Sequence, residues 1–139
     1  MVAAAHLAPA LTIVRISLHV LAACVWIGGQ IVLAGLVPTL RDAGQDVPQK
    51  VARAFARLSW PAFALLVFTG FWNYAIKNHD GVTYGWQAAF GVKFALVVLA
   101  GLGAYAHSKA TSPARRGATA GIGLLASLGA MVLGVALAG

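Results

Sequence analysis

The sequence predicts an all-α integral membrane protein, a four-helix transmembrane bundle with its N and C termini outside. Composition, the spacing of apolar stretches and the placement of basic residues predict it. Of 139 residues, 60% are hydrophobic and 9% are charged, whereas an average soluble domain carries about 25% charged residues. So little charge cannot cover a soluble surface. A bilayer-crossing helix needs about 20 mostly apolar residues. Four such stretches with short loops use up residues 1–139 as a single membrane domain, leaving no length for a soluble catalytic domain.

The first span is predicted over residues 11–37, with a stop at Pro38. It is too long for a signal-peptide core and no positive segment precedes it, so cleavage is not expected. The second, third and fourth spans are predicted over 58–76, 86–106 and 118–138. Arg41, Lys50, Arg53 and Arg57 lie between the first two, and Lys109, Arg115 and Arg116 between the last two. Alternating spans put both sets on one side, and their basic excess marks that side as cytoplasmic. The loop carrying Lys77, His79 and Asp80 then faces outward with both termini.

The net charge of +7 is therefore a topology signal. Nucleic-acid binding is not expected, because the basic residues fall in two short loops and form no single stripe. The expected partner is the lipid bilayer of a cell membrane, crossed several times. Arg53 and Arg57 sit one turn apart on one helix face. That spacing suits snorkelling to the headgroups or docking of an anionic lipid or partner. Cys24 is the only cysteine, so no disulfide framework exists; it reads as a small buried packing residue.

The fourth span is built on small residues. Ala126, Ala130, Gly134 and Ala138 recur every four positions, as do Gly117 and Gly121. Such ridges let helix backbones approach closely in lipid, which makes this helix a scaffold or the face of a homo-oligomer or larger membrane complex. Its only ligand-capable groups are Ser127 and the Met131 thioether.

Ionisable groups inside a bilayer are costly, which makes each a candidate for function. Arg15, His19 and Lys93 are the three. Arg15 lies near the outer end of span one, where it can snorkel. His19 and Lys93 are deeper, both roughly 10–12 Å below the outer boundary at about 1.5 Å per residue. Two polar groups at one depth on different helices point to one buried site in the outer half. Arg15, His19, Ala22 and Trp26 follow at spacings of four, three and four, so they line a single face. Gly28 and Gly29 allow close helix contact or a bend. Trp86, Phe90, Lys93 and Val97 form the matching face of span three.

Bland readings exist for several of these. Trp72, Tyr74, Tyr84 and Trp86 fall where an interfacial aromatic belt would sit, and His19 can hydrogen-bond a neighbouring helix. Lys93 is harder to explain, since the only acids are Asp42, Asp46 and Asp80, none of them within a predicted span. A buried ammonium without a counter-ion points to an anion supplied by a ligand, or to a displaced pKa. His107 lies 14 residues after Lys93, roughly 21 Å along the helix, and reads as an inner-edge residue. His79, on the outer side, is a possible second metal ligand beside His19.

The stretch Leu18–Gly29, with its His-x6-Trp-x-Gly-Gly pattern, resembles the first-helix signature of the copper-resistance D (CopD) family. That superfamily includes the HemJ-type membrane protoporphyrinogen oxidases, which are four-helix proteins that bind heme b. Arg53-x-Phe55, Thr69-Gly70 and Lys93 fall in the order the family leads one to expect, and the resemblance covers about three of the four spans. It implies a bacterial inner-membrane protein in which His19 and Lys93 are the key pair. His19 would be an axial ligand, Trp26 and Phe90 ring neighbours, and Lys93 or Arg15 partners of the propionates. Copper is the alternative metal, although copper(I) favours thiolate and thioether ligands, which are scarce here. Three functions follow: heme or copper handling or electron transfer; a heme-dependent porphyrinogen oxidase; or a non-catalytic subunit assembled through span four.

Overall fold

The computed structural model describes residues 6–138 and is all-α. Its elements are α1 (Ala10–Ala23), a π-helical turn (Cys24–Gly28), α2 (Gly29–Ala43), α3 (Val47–Ala75), α4 (Tyr84–Lys109) and α5 (Pro113–Ala138). The segment α1–π–α2 runs on as one helix of 34 residues, and α3, α4 and α5 have 29, 26 and 26. All four are long and apolar enough to cross a membrane. Helix is the expected solution in lipid, because every backbone N–H and C=O finds its partner within the same segment.

The helices outrun the predicted spans. Pro38 does not stop the first one, which continues to Ala43 with Pro38 inside it. Proline's fixed φ is compatible with helix, and its cost is a lost hydrogen bond and a local clash. The stop falls instead at Gly44, whose φ of 154° is open to glycine but strained for other residues. The stretch before the second predicted span is also helical, with Pro48 in the first turn of α3, where a missing N–H costs nothing. Only residues 44–46 separate α2 from α3. A helix of 34 residues measures about 51 Å against a hydrocarbon core of about 30 Å. Its ends and those of α3 therefore reach the headgroups, and Arg41, Arg53 and Arg57 are exposed there.

The chain divides into two compact units. The first comprises Met1–Gly29 and Val37–Lys77, the second Gln30–Leu36 and Asn78–Gly139. In the first, α1 and the π turn pack antiparallel to α3. A Cβ at Gly29 would run into the Phe55 ring, so this glycine is a close-approach site. Trp26 is buried at 3% exposure, its ring centroid 4.4 Å from Phe63 and 5.6 Å from Trp60. Further out, His19 meets Thr69. Cys24 corrects the reading from sequence: it is exposed, because it lies two residues beyond the inward-facing Ala22, on the opposite side of the helix.

In the second unit α4 and α5 form an antiparallel hairpin. The backbones almost touch at Gly103 and Gly123: a Cβ at Gly103 would stand 2.9 Å from Gly123 Cα and N. Ala100, Ala126, Ser127 and Ala130 are buried in the same seam. The small-residue ridge of α5 is thus used largely within the chain, whereas Gly117 and Gly121 have nothing near them. Ser127 turns its hydroxyl back to Gly123 O at 2.8 Å. At the turn, His107 Nδ1 donates to Arg116 O at 2.8 Å and Arg116 Nη2 to Ala110 O at 3.1 Å. His107 is a staple of the hairpin. At the opposite end Thr83 caps α4, accepting from Trp86 N at 3.2 Å.

The seam makes a direct prediction. Gly103→Val should destabilise the second unit by about 1–3 kcal/mol, since Gly123 offers only backbone to push against. Gly117→Ala, in open space, should leave stability unchanged or slightly raised. Detergent-titrated unfolding followed by circular dichroism measures both.

Candidate functional site

The first unit gathers Arg15, His19, Ala22 and Trp26 onto the face of the first helix that meets α3, as their spacing predicts. Ala22 is 2% exposed and Arg15 is 7% exposed. Arg15, read from sequence as able to snorkel, thus has little exposed surface. Its side chain is folded into the unit, and its Nε is an interior atom with no hydrogen-bond partner among the described residues.

His19 is half-buried and its Nδ1 lies 2.7 Å from Thr69 Oγ1. Counting protons decides the direction of this bond. The threonine hydroxyl has one proton, and it is engaged by Leu65 O at 2.7 Å, with Leu66 O at 3.3 Å. The proton between His19 and Thr69 must come from the imidazole, so Nδ1–H donates and Thr69 Oγ1 accepts. In the neutral ring the lone pair is then on Nε2. A hydrogen bond at one ring nitrogen is the usual means of orienting the other toward a metal. Thr69 is itself fully buried, at 0% exposure, so the acceptor has no competing water. Gly70 lies beside the ring: a Cβ there would stand 3.6 Å from His19 Cε1, in ordinary van der Waals contact.

One turn below, the helix widens into the π turn that holds Trp26. Such turns occur often at functional sites. The Trp26 ring is engaged with Trp60 and Phe63, so it forms the floor of this region through an aromatic cluster.

The remaining candidates belong to the second unit. Lys93 is half-buried, and its Nζ lies 3.1 Å from the place a Cβ would occupy on Gly134. Gly134 thereby gives the ammonium its room against the α5 backbone. Phe90 stacks on Trp86 with centroids 5.8 Å apart and planes within 6°. Trp86 donates Nε1–H to Leu137 O at 3.3 Å. The exposed His79 stands edge-on to Trp86 at 6.3 Å. Of the face predicted on span three, Trp86 and Lys93 meet α5, and Leu96, which was not part of it, meets α5 as well.

The sequence reading missed the part played by Thr69. It noted Thr69 only within a Thr-Gly pair, and the signal was available: a hydroxyl in an apolar helix either bonds its own backbone or serves another helix. Thr69 does both. Among the described residues no three of His, Cys, Asp or Glu come together as a metal-binding group. Compared with protein-family models, with curated proteins and with solved structures, the chain matches none.

Replacing Thr69 by Val keeps the shape and removes the acceptor. An unsatisfied imidazole N–H should cost about 1–3 kcal/mol, and the His19 proton should shift from Nδ1 toward Nε2. Nitrogen-15 NMR of labelled histidine reads the tautomer; Thr69→Ser should retain the wild-type signal.

Proposed function

We propose that this multi-pass membrane protein holds a b-type heme in the outer half of the membrane, with His19 Nε2 as an axial ligand, for heme handling or electron transfer. The observation that carries the reading is the His19–Thr69 hydrogen bond at 2.7 Å, which gives Nε2 the lone pair and fixes the ring that bears it. A porphyrin brings four nitrogens of its own, so one or two protein ligands suffice. A bare copper-type ion needs a fuller protein ligand set, and for that reason heme is preferred here. The first-helix pattern His19-x6-Trp26-x-Gly28-Gly29 supports a CopD/HemJ-like relationship.

The residues fit such a group. His19 would supply the ligand, Thr69 would orient it, and Arg15 would supply a cation with no acid beside it in α1. When bound, heme supplies a one-electron iron couple. The ring contacts of Trp26 with Trp60 and Phe63 would give such a group an aromatic neighbour one turn below His19, and an apolar setting would tune that couple. The outer location follows from the basic residues at the opposite ends of these helices.

An absorption spectrum of purified protein, oxidised and dithionite-reduced, tests the reading. The wild type should show a Soret band and reduced b-type bands. His19→Ala should lose them, while Cys24→Ala, remote from the ligand face, should keep them. Protein that stays colourless after expression with ample heme would overturn the assignment.

A further inference from the structure

The inner part of α3 carries two stripes of residues. Phe55, Ser59 and Phe63 follow at spacings of four and face the first helix. Phe55 closes on Gly29, Ser59 is buried, and Phe63 packs on Trp26. Lys50, Arg53, Arg57 and Trp60 follow at spacings of three, four and three, so they share a face of their own. All four are exposed.

The charge on this second stripe is not balanced within α3, which contains no acid. Asp46, just before the helix, engages Lys50 at 2.6 Å. Arg53 and Arg57, one turn apart, have no hydrogen bond or ion pair among the described residues.

Their depth matches the phosphate layer. Arg57 and Lys77 bracket the apolar part of α3 and lie 20 positions apart. That is roughly 30 Å as helix, the thickness of the hydrocarbon core. Arg53 stands about 6 Å further out, still among the headgroups. On the membrane side of Arg57 the same face continues with Trp60, Ala64 and Phe68, all exposed. Ala64, one turn from each ring, leaves room between them for an acyl chain.

Snorkelling alone would be satisfied by water or by any headgroup. Two guanidinium forks on one face match phosphate oxygens bidentately, and their surplus charge disfavours a headgroup that carries its own cation. We infer that Arg53 and Arg57 form a binding site for one anionic phospholipid of the leaflet on the basic side. Its phosphate lies between the two guanidinium groups and an acyl chain runs along Trp60, Ala64 and Phe68. The site is separate from His19 and independent of the heme reading.

Native mass spectrometry of the full chain, released from detergent after titration with phosphatidylglycerol or phosphatidylcholine, counts the bound lipid. For the first lipid taken up, wild type should prefer phosphatidylglycerol on the order of 10- to 30-fold. The double variant Arg53→Gln, Arg57→Gln should lose most of that preference, with its helix content by circular dichroism unchanged. Lys109→Gln with Arg115→Gln removes the same charge from the other basic loop and should keep the preference. Excess glycerol phosphate, which has no acyl chain, should not displace the lipid. If the double variant is not recovered folded, Arg57→Gln alone carries the comparison and should lose preference several-fold.

Uptake of both lipids alike would overturn the inference, as would a preference that survives the loss of both arginines. Equal loss in the Lys109→Gln, Arg115→Gln control would assign the preference to general surface charge and overturn it too. Displacement by glycerol phosphate would make this a site for soluble phosphate, with the same result.

Discussion

Lipid tails are as apolar as leucine, so two helices in a bilayer gain little by hiding leucines against each other. Association has to come from places where backbones can approach and from a few polar contacts. In the second unit that place is Gly103 against Gly123, and the rest of the seam is filled by Ala100, Ala126 and Ala130. In the first unit Gly29 admits the Phe55 ring, and Trp26 fills the space beyond it. The many exposed large apolar residues, Val20, Phe68, Leu102 and Leu125 among them, are lipid-facing surface and need no protein partner.

With packing supplied by small residues, polar residues within the spans stand out by their setting. His19 has its ring fixed by an acceptor that water does not reach. Arg15 is held in the protein interior, and Lys93 fits against α5 at Gly134. Two of them depend on a neighbouring residue: His19 on the Thr69 hydroxyl and Lys93 on the small size of Gly134. All three acids lie at or beyond helix ends. Arg15, His19 and Lys93 thus lie within the spans, away from all three carboxylates in the sequence.

The four spans were legible because length and hydropathy alone decide them. Their limits were not, since Pro38 and the basic stretch around Arg53 look like loop when helix is judged by apolar content. The face carrying Arg15, His19, Ala22 and Trp26 was legible from periodicity; of Gly28 and Gly29, read as allowing close contact or a bend, only Gly29 is a close-approach site. The burial of Arg15 was not, because distance from a helix end sets how far a side chain can snorkel and does not reveal which neighbour covers it. Thr69 was not legible as the partner of His19. The two are 50 positions apart, and their meeting depends on the register of α1 against α3, which local pattern does not encode. Cys24 was misjudged because an apolar context was taken for burial, whereas in lipid an apolar context is also the outside.

The π turn at Cys24–Gly28 gives the first helix two phases. One additional residue in a turn rotates everything after it by about 100° relative to an unbroken α-helix. The outer half can therefore aim Arg15 and His19 in one direction while the inner half, from Gly29 onward, keeps its own alignment toward Phe55. A single straight helix would tie the two aims together, and any change that improved packing below would swing the imidazole above. Here the helix behaves as a shaft with a coupling in it, and the positioning of the imidazole is separated from the anchoring of the span.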